Sequence, residues 1–294
     1  MPAPRSESSD FATQARDAFA QVSATPGSSK PDPIIVGNGI KRVFGGLTAV
    51  DVDALQVQRH GITALIGPNG AGKTTLFNLL TCFDTAQEGS WKFNGTEISK
   101  TGPHKVAQLG MVRTFQLTKS LYRLSVLDNM RLAATKQRGE SIFLSPLRAL
   151  WGKQEKEITE RAEELLTRFK LIDKKDDFAA ALSGGQRKLL EMARALMVNP
   201  EIVMLDEPMA GVNPALKQSL LGHIKSLRDE GMTVLFVEHD MDMVRDISDW
   251  VVVMAQGKIV AEGTPADVMR NQAVVDAYLG AHHDTTLEES EKGS

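Results

Sequence analysis

The 294-residue chain lacks the features that would tie it to several protein classes. It has a single cysteine, Cys82, so no intrachain disulfide framework can exist and the chain reads as one from a reducing compartment. Cys82 itself reads as a small buried apolar residue. No apolar run approaches the roughly 18 residues that cross a bilayer. The longest candidates, such as Trp250–Ala255, are strand-length. Positive charge is not in excess: 34 Lys and Arg against 37 Asp and Glu leave a net charge of −3, which gives no electrostatic footprint for nucleic acid. The first 33 residues show no basic start followed by an apolar core, so they do not read as a secretory signal. These absences leave a soluble, cytoplasmic reading. With 42% hydrophobic residues, the length suits one large or two small globular domains.

Residues 1–33 are rich in Ser, Ala, Pro and Asp, with breakers at Pro26-Gly27-Ser28-Ser29 and Pro31-Asp32-Pro33. They read as a disordered extension with room for a short helix around Phe11–Ala20. From Ile34 strand signals begin, at Ile34–Val36, Ala49–Val57 and Ile62–Ile66. Further strands are predicted at Gly89–Phe93, Met111–Thr114, Ile202–Leu205, Thr233–Val237, Trp250–Ala255 and Lys258–Glu262. Between Val126 and Asn199 the pattern turns helical, with amphipathic stretches at Glu155–Phe169 and Arg187–Val198. The expectation is one α/β core over 34–280 with a helical subdomain inserted at about 118–198. A polar, acidic tail follows over 281–294 and reads as flexible.

Ile62–Ile66 leads straight into Gly67, Pro68, Asn69, Gly70, Ala71, Gly72, Lys73, Thr74 and Thr75. This fits the phosphate-loop template G-x-x-x-x-G-K-[ST], and the predicted helix Leu76–Thr81 supplies the context that the template requires. Glycines let successive backbone N–H groups turn inward around phosphate oxygens, and the helix start adds its positive dipole end. In such a loop Lys73 bridges the β- and γ-phosphates and Thr74 gives a hydroxyl to Mg²⁺. The segment Glu201–Pro208 reads EIVMLDEP, a buried strand with Asp206 emerging at its C-terminal edge, where open α/β sheets hold ligands. Paired acids at a strand end are often only solvated. Downstream of a phosphate loop, Asp206 is a candidate Mg²⁺ partner.

Leu182–Gln186 reads LSGGQ. Ser183, Gly184, Gly185 and Gln186 combine a small hydroxyl, two glycines and a helix start, which makes an anion site of the same physical type as the phosphate loop. The order of phosphate loop, LSGGQ and strand-Asp206-Glu207 resembles that of ABC-type ATPases. The resemblance covers about Ile34 to Gly280. It implies a P-loop NTPase core of the ABC ATPase type, with an inserted helical subdomain and an antiparallel β region. It also implies that ATP and Mg²⁺ are the cofactors. Glu207 matches the residue that polarises the attacking water. Gln116, in Arg113-Thr114-Phe115-Gln116-Leu117, matches the glutamine that reaches Mg²⁺ and that water. His239 matches the histidine that hydrogen-bonds the γ-phosphate, and Asp240 reads as the cap of a helix over Met241–Ile247. Phe44 matches the aromatic that stacks on adenine, with Val52 or another nearby apolar residue packing on the same base. In the family, LSGGQ of one subunit faces the nucleotide on the phosphate loop of another, so one chain carries halves of two sites.

Several stretches resemble the larger ATPase subunit of branched-chain (hydrophobic) amino acid importers. They are Phe44–Val50, Val112–Gln116, Leu124–Met130, Ala210–Pro214 and Val275–Gly280. The D-loop position that usually ends in Asp carries Asn213 here. The resemblance implies membrane permease subunits, a second ATPase subunit in a homo- or heterodimer and, indirectly, an external solute-binding protein as partners. It places the chain peripherally at the cytoplasmic face of the plasma membrane. The alternatives are an ATPase for urea or amide import or for lipopolysaccharide export, and a non-transport ABC protein.

Overall fold

A computed structural model describes residues 5–114, 122–134 and 148–278. Two sheets organise them. The first is antiparallel, ordered β2-β1-β4-β5, from β1 (Pro33–Phe44), β2 (Leu47–Gln58), β4 (Glu88–Phe93) and β5 (Thr96–Glu97). The second has six strands, ordered β10-β9-β3-β8-β7-β6. Its members are β3 (Ile62–Ile66), β6 (Met111–Arg113), β7 (Ile202–Asp206), β8 (Thr233–Val237), β9 (Trp250–Ala255) and β10 (Lys258–Gly263). All its pairings are parallel except β9 with β10, which form a hairpin. Every residue of β3 and β8 is buried, as expected of parallel strands covered on both faces.

The parallel register decides where the chemistry can sit. Leu65 lies opposite Val237, and Val237 lies opposite Asp206. The segments leaving β3, β7 and β8 therefore emerge along one edge of the sheet. Two cores flank it. One fills the space beside the antiparallel sheet and α2 (Lys73–Leu80), with Trp91, Phe93, Phe77 and Trp250 fully buried. The other joins the opposite face to α4 (Val126–Ala133), α5 (Arg148–Arg168), α6 (Gly184–Ala195), α7 (Pro214–Asp229) and α8 (Met241–Ile247). Short helices α3 (Pro103–Gln108) and α9 (Pro265–Met269) and a last helix over residues 272–278 complete the described chain. Among the described residues no helix is long and apolar enough to cross a membrane.

For the described part of residues 1–33, from Arg5 on, the expected disorder is corrected. Helix α1 spans Arg5–Ala20 and docks on the body, packing against α7. Phe11, Ala15 and Phe19 recur every four residues, which puts them on one helical face. Ala15 and Phe19 are buried, Phe19 stacks on Trp250 with centroids 5.1 Å apart, and Phe11 meets His60 at 4.8 Å. The polar composition hid that stripe. Beyond α1, Lys30 is completely buried with Glu262 of β10 at 3.3 Å, and its ammonium lies 4.6 Å from the Trp250 ring. Glu262 also accepts from the Ser28 N–H and the Trp250 Nε1–H. Burial lowers the pKa of Lys30, and the charge of Glu262 opposes that shift. The expected tail over 281–294 lies outside the described residues.

Candidate nucleotide site

The loop after β3 owes its path to two glycines. Gly67 has φ 150°, and a Cβ there would lie 2.1 Å from the Met254 carbonyl oxygen. Gly72, which caps α2, has φ 98°, and its Cβ would lie 2.2 Å from the Ala49 carbonyl oxygen. The loop is thus wedged between β9 and β2 with no room for a side chain at either point. Lys73 opens α2 and turns its ammonium back to donate to the Gly67 and Pro68 carbonyls, both at 2.8 Å. Burial lowers the pKa of Lys73, and the carboxylates of Glu207 and Asp206 pull it back up. The ammonium is therefore held over the loop with two carboxylates close by. A cleft of about 500 Å³ opens beside it, lined by Leu47–Ala49 of β2, Gly70–Thr75 and Gln256.

Phe44 stands 46% exposed at the tip of the β1–β2 hairpin, directly opposite Leu47. The Arg42 guanidinium lies 4.3 Å from its ring centroid and is itself held by Asp84 at 2.8 Å. That geometry steadies the ring at the surface; Phe44 does not itself line the cleft, which its partner Leu47 borders. Val52 does not share this position. It is 2% exposed inside the core, so the apolar residue at the cleft is Leu47, at 72% exposure. Strand alternation explains the difference, because Val52 faces the core between the sheets.

Asp206 ends β7 and is ion-paired with Arg113, which also donates to Asn78 of α2 at 2.6 Å. Glu207 follows in a left-handed conformation, φ 45°, with its N–H donating to the Val237 carbonyl at 3.1 Å and its side chain exposed. His239 leaves β8 with its side chain 66% exposed. Its backbone N–H donates to Glu238 at 3.2 Å. Asp240 caps α8 by accepting from the Met243 N–H at 3.0 Å, and Lys217 beside it holds its carboxyl below the ordinary range. The structure thus brings Gly67–Thr75, Asp206, Glu207 and His239 to one sheet edge. Gln116 lies outside the described residues.

Sequence reasoning passed over three residues. Glu238 is 1% exposed and accepts from the Met209 N–H at 3.0 Å, tying the segment after Glu207 to the one carrying His239. Its only signal was a carboxylate closing an apolar strand. Arg113 was seen as part of a motif, but its hold on Asp206 is a tertiary fact. Gln256 belongs to a turn signal, Gln-Gly, that says nothing about which cleft it borders.

Ser183 caps α6 through a reciprocal pair. Its Oγ accepts from the Gln186 N–H at 3.2 Å, and Gln186 Oε1 accepts from the Ser183 N–H at 3.0 Å. Gly184 is exposed, and a Cβ there would meet only the tip of Arg187 at 3.9 Å, whereas a Cβ at Gly185 would strike Leu216 at 1.6 Å. None of Ser183–Gln186 lines the cleft of this chain's own phosphate loop. Asn213, in the position that usually carries Asp, caps α7 by accepting from the Leu216 N–H at 2.9 Å.

With this arrangement in place, the comparisons with known proteins decide the family. The ABC transporter family matches residues 50–210, more than half of the chain. This chain belongs to that family. The branched-chain amino acid ATP-binding cassette transporter family matches residues 258–284. A probable branched-chain amino acid transport ATP-binding protein LivG of Archaeoglobus fulgidus is 42% identical over 248 residues, covering 84% of this chain and 96% of the relative. The high-affinity branched-chain amino acid transport ATP-binding protein BraF of Pseudomonas aeruginosa is 40% identical over 251 residues, covering 84% and 98%. A crystal structure of the ADP conformation of MJ1267, an ATP-binding cassette of an ABC transporter, superposes with a TM-score of 0.74 at 38% identity, covering 84% of this chain and 99% of that one. The α/β cassette with its parallel and antiparallel sheets is the fold of this family.

Proposed function

We propose that the chain is the ATP-hydrolysing subunit of an ABC importer, coupling ATP binding and hydrolysis to uptake of branched-chain (hydrophobic) amino acids. The observation that carries the chemistry is the shared sheet edge, where the Lys73 loop, Asp206-Glu207 and His239 converge on the register of β3, β7 and β8. The loop's backbone N–H groups and Lys73 take the phosphates. Glu207, exposed at the strand end, polarises the attacking water, and His239 reaches the γ-phosphate. Phe44 takes the adenine. The Mg²⁺ that such a reaction uses fits the donors present, since Mg²⁺ takes one or two carboxylates and keeps several waters. Thr74, Asp206 and Gln116 would hold it, and when bound it neutralises charge developing on the phosphates.

Ser183–Gln186 serve a second subunit's nucleotide, consistent with their absence from this chain's own cleft. The partners in this reading are that second ATPase subunit, membrane permease subunits and, through them, an external solute-binding protein. The chain then sits peripherally on the cytoplasmic face of the membrane. Substituting Glu207→Gln tests the catalytic core of the proposal. ATP turnover should fall by at least ~100-fold while ATP binding persists and a nucleotide-bound dimer accumulates. Turnover at the wild-type rate would remove Glu207 from the mechanism.

A further inference from the structure

Among the described residues, Gln256 is the one that lines the cleft from neither the phosphate loop nor β2. It is the first residue of a two-residue turn, since Ala255 and Lys258 pair across β9 and β10. Gln256 has φ 49° and Gly257 has φ 79°, the double left-handed pattern of a type I′ turn. Asn, Asp or Gly suit the first position of such a turn, and a longer side chain there is held against its backbone preference. The turn has no freedom to relax. The Gly257 N–H donates to the Ala71 carbonyl at 3.0 Å, and the Gly257 carbonyl accepts from the Asp51 N–H at 2.8 Å. A Cβ at Gly257 would stand 3.0 Å from the Ala49 carbonyl oxygen. The turn is therefore locked to the phosphate loop on one side and to β2 on the other. Among the described residues the Gln256 carboxamide has no hydrogen-bond partner, and its residue is exposed.

We propose, building on the ATP reading above, that Gln256 recognises the nucleoside half of the bound nucleotide. The phosphates are already provided for by the loop amides and Lys73. Leu47 and Thr48, which share the cleft with Gln256, belong to the hairpin that carries Phe44. A rigidly placed carboxamide at that rim offers one donor group and one acceptor to the edge of a base or to ribose hydroxyls. A strained backbone at a binding cleft is the kind of outlier that marks function.

Gln256→Gly tests this, because glycine removes the amide and relaxes the turn together, so loss of folding is not the expected consequence. The purified full chain is titrated with ADP, with inorganic tripolyphosphate, with 2′-deoxy-ADP and with inosine diphosphate, which lacks the adenine amino group. ADP affinity should drop about 3- to 10-fold in the variant, the range of one hydrogen bond, while tripolyphosphate affinity stays unchanged. The difference between ADP and the analogue lacking the contacted group should shrink in the variant, which assigns the contact to ribose or base. Unchanged ADP affinity, equal weakening of ADP and tripolyphosphate, or analogue differences that all survive the substitution would each overturn the proposal. A wild-type chain that binds no ADP would instead sink the ATP reading itself.

Discussion

The chain has two glycine-rich helix starts of the same physical type, and they are built in opposite ways. The phosphate loop before α2 is buttressed from behind. Its Gly67 and Gly72 press against backbone carbonyls, and Lys73 turns in over it. The start of α6 is closed on itself, with Ser183 and Gln186 satisfying each other's N–H groups and Gly184 exposed. The first is shaped by its own chain. The second packs Gly185 against Leu216 of α7 but leaves Ser183 and Gly184 at the surface. That difference suits the proposed site shared between two subunits, in which the loop is preorganised before nucleotide arrives while Ser183–Gln186 stay accessible to a ligand held elsewhere.

The sharpest way to break the comparison is to add one methyl group to each. At Gly72 the new Cβ meets a carbonyl oxygen at 2.2 Å in a left-handed conformation, and backbone cannot step aside as a side chain can. Gly72→Ala should cost at least ~2 kcal/mol of stability and abolish measurable ADP binding. At Gly184 the nearest atom is the tip of Arg187 at 3.9 Å. Gly184→Ala should leave stability within about 0.5 kcal/mol and ADP binding intact, and lower ATP turnover only in the assembled transporter. Thermal melts and ADP titrations on the isolated chains decide it. If the two variants behave alike, the contrast is wrong.

The backing of the loop extends further than the family resemblance implied. Strand β10, in the hairpin that presses on the loop, is tied to residues 28–30 through the buried Lys30–Glu262 pair. Lys30→Ala leaves Glu262 buried with a charge that, among the described residues, only the Ser28 and Trp250 N–H groups offset. The expected loss is about 3 kcal/mol, read by denaturant unfolding. A neutral outcome would mean that the N-terminal segment leans on the body without supporting it.

The parts legible in the sequence were those set by short-range chemistry. Ile62–Ile66, Thr233–Val237 and Trp250–Ala255 are strands with the bounds expected of them, because unbroken apolar runs between turn residues admit little else. The phosphate loop and Asp240 as a cap are equally local. Residues 1–33 misled because their average composition is polar, whereas docking depends on Phe11, Ala15 and Phe19 falling on one face. Between Val52 and its apolar neighbours the sequence could not choose, because proximity to Phe44 ignores which side of the strand each faces. The place of Gln256 at the cleft and the hold of Arg113 on Asp206 could not be read, since each arises through a strand pairing distant in sequence.

The body of α6 gives an effect of similar size, one that depends on pH. Glu191 lies one helical stretch beyond Gln186, among Thr114, Met192, Leu205 and Pro208. Burial raises its pKa from 4.5 to about 7, against the pull of Lys188 and Arg194. A carboxyl whose folded pKa is raised favours the folded state at acid pH, and that contribution is lost as pH rises from about 4.5 through about 7. The whole difference amounts to up to ~3 kcal/mol. Glu191→Gln stays neutral throughout, so its stability relative to wild type should increase between pH 5 and pH 8. Parallel pH profiles for the two proteins would show that Glu191 ionises without penalty.

The smallest effect isolates the cap itself. Ser183→Ala removes the hydroxyl that accepts from the Gln186 N–H and opens the reciprocal pair, which should cost about 1 kcal/mol of stability. ADP binding by the isolated chain should not change, because Ser183 stands outside the cleft that Lys73 serves. ATP turnover by the assembled transporter should fall nonetheless, and by more than a 1 kcal/mol loss of folding stability can explain, since the folded fraction scarcely moves. The separation of these three readouts distinguishes a hydroxyl that only starts a helix from one that also meets a partner's nucleotide. A Ser183→Ala chain that loses ADP affinity as a monomer would place both glycine-rich helix starts at the same site and remove the need for a second subunit.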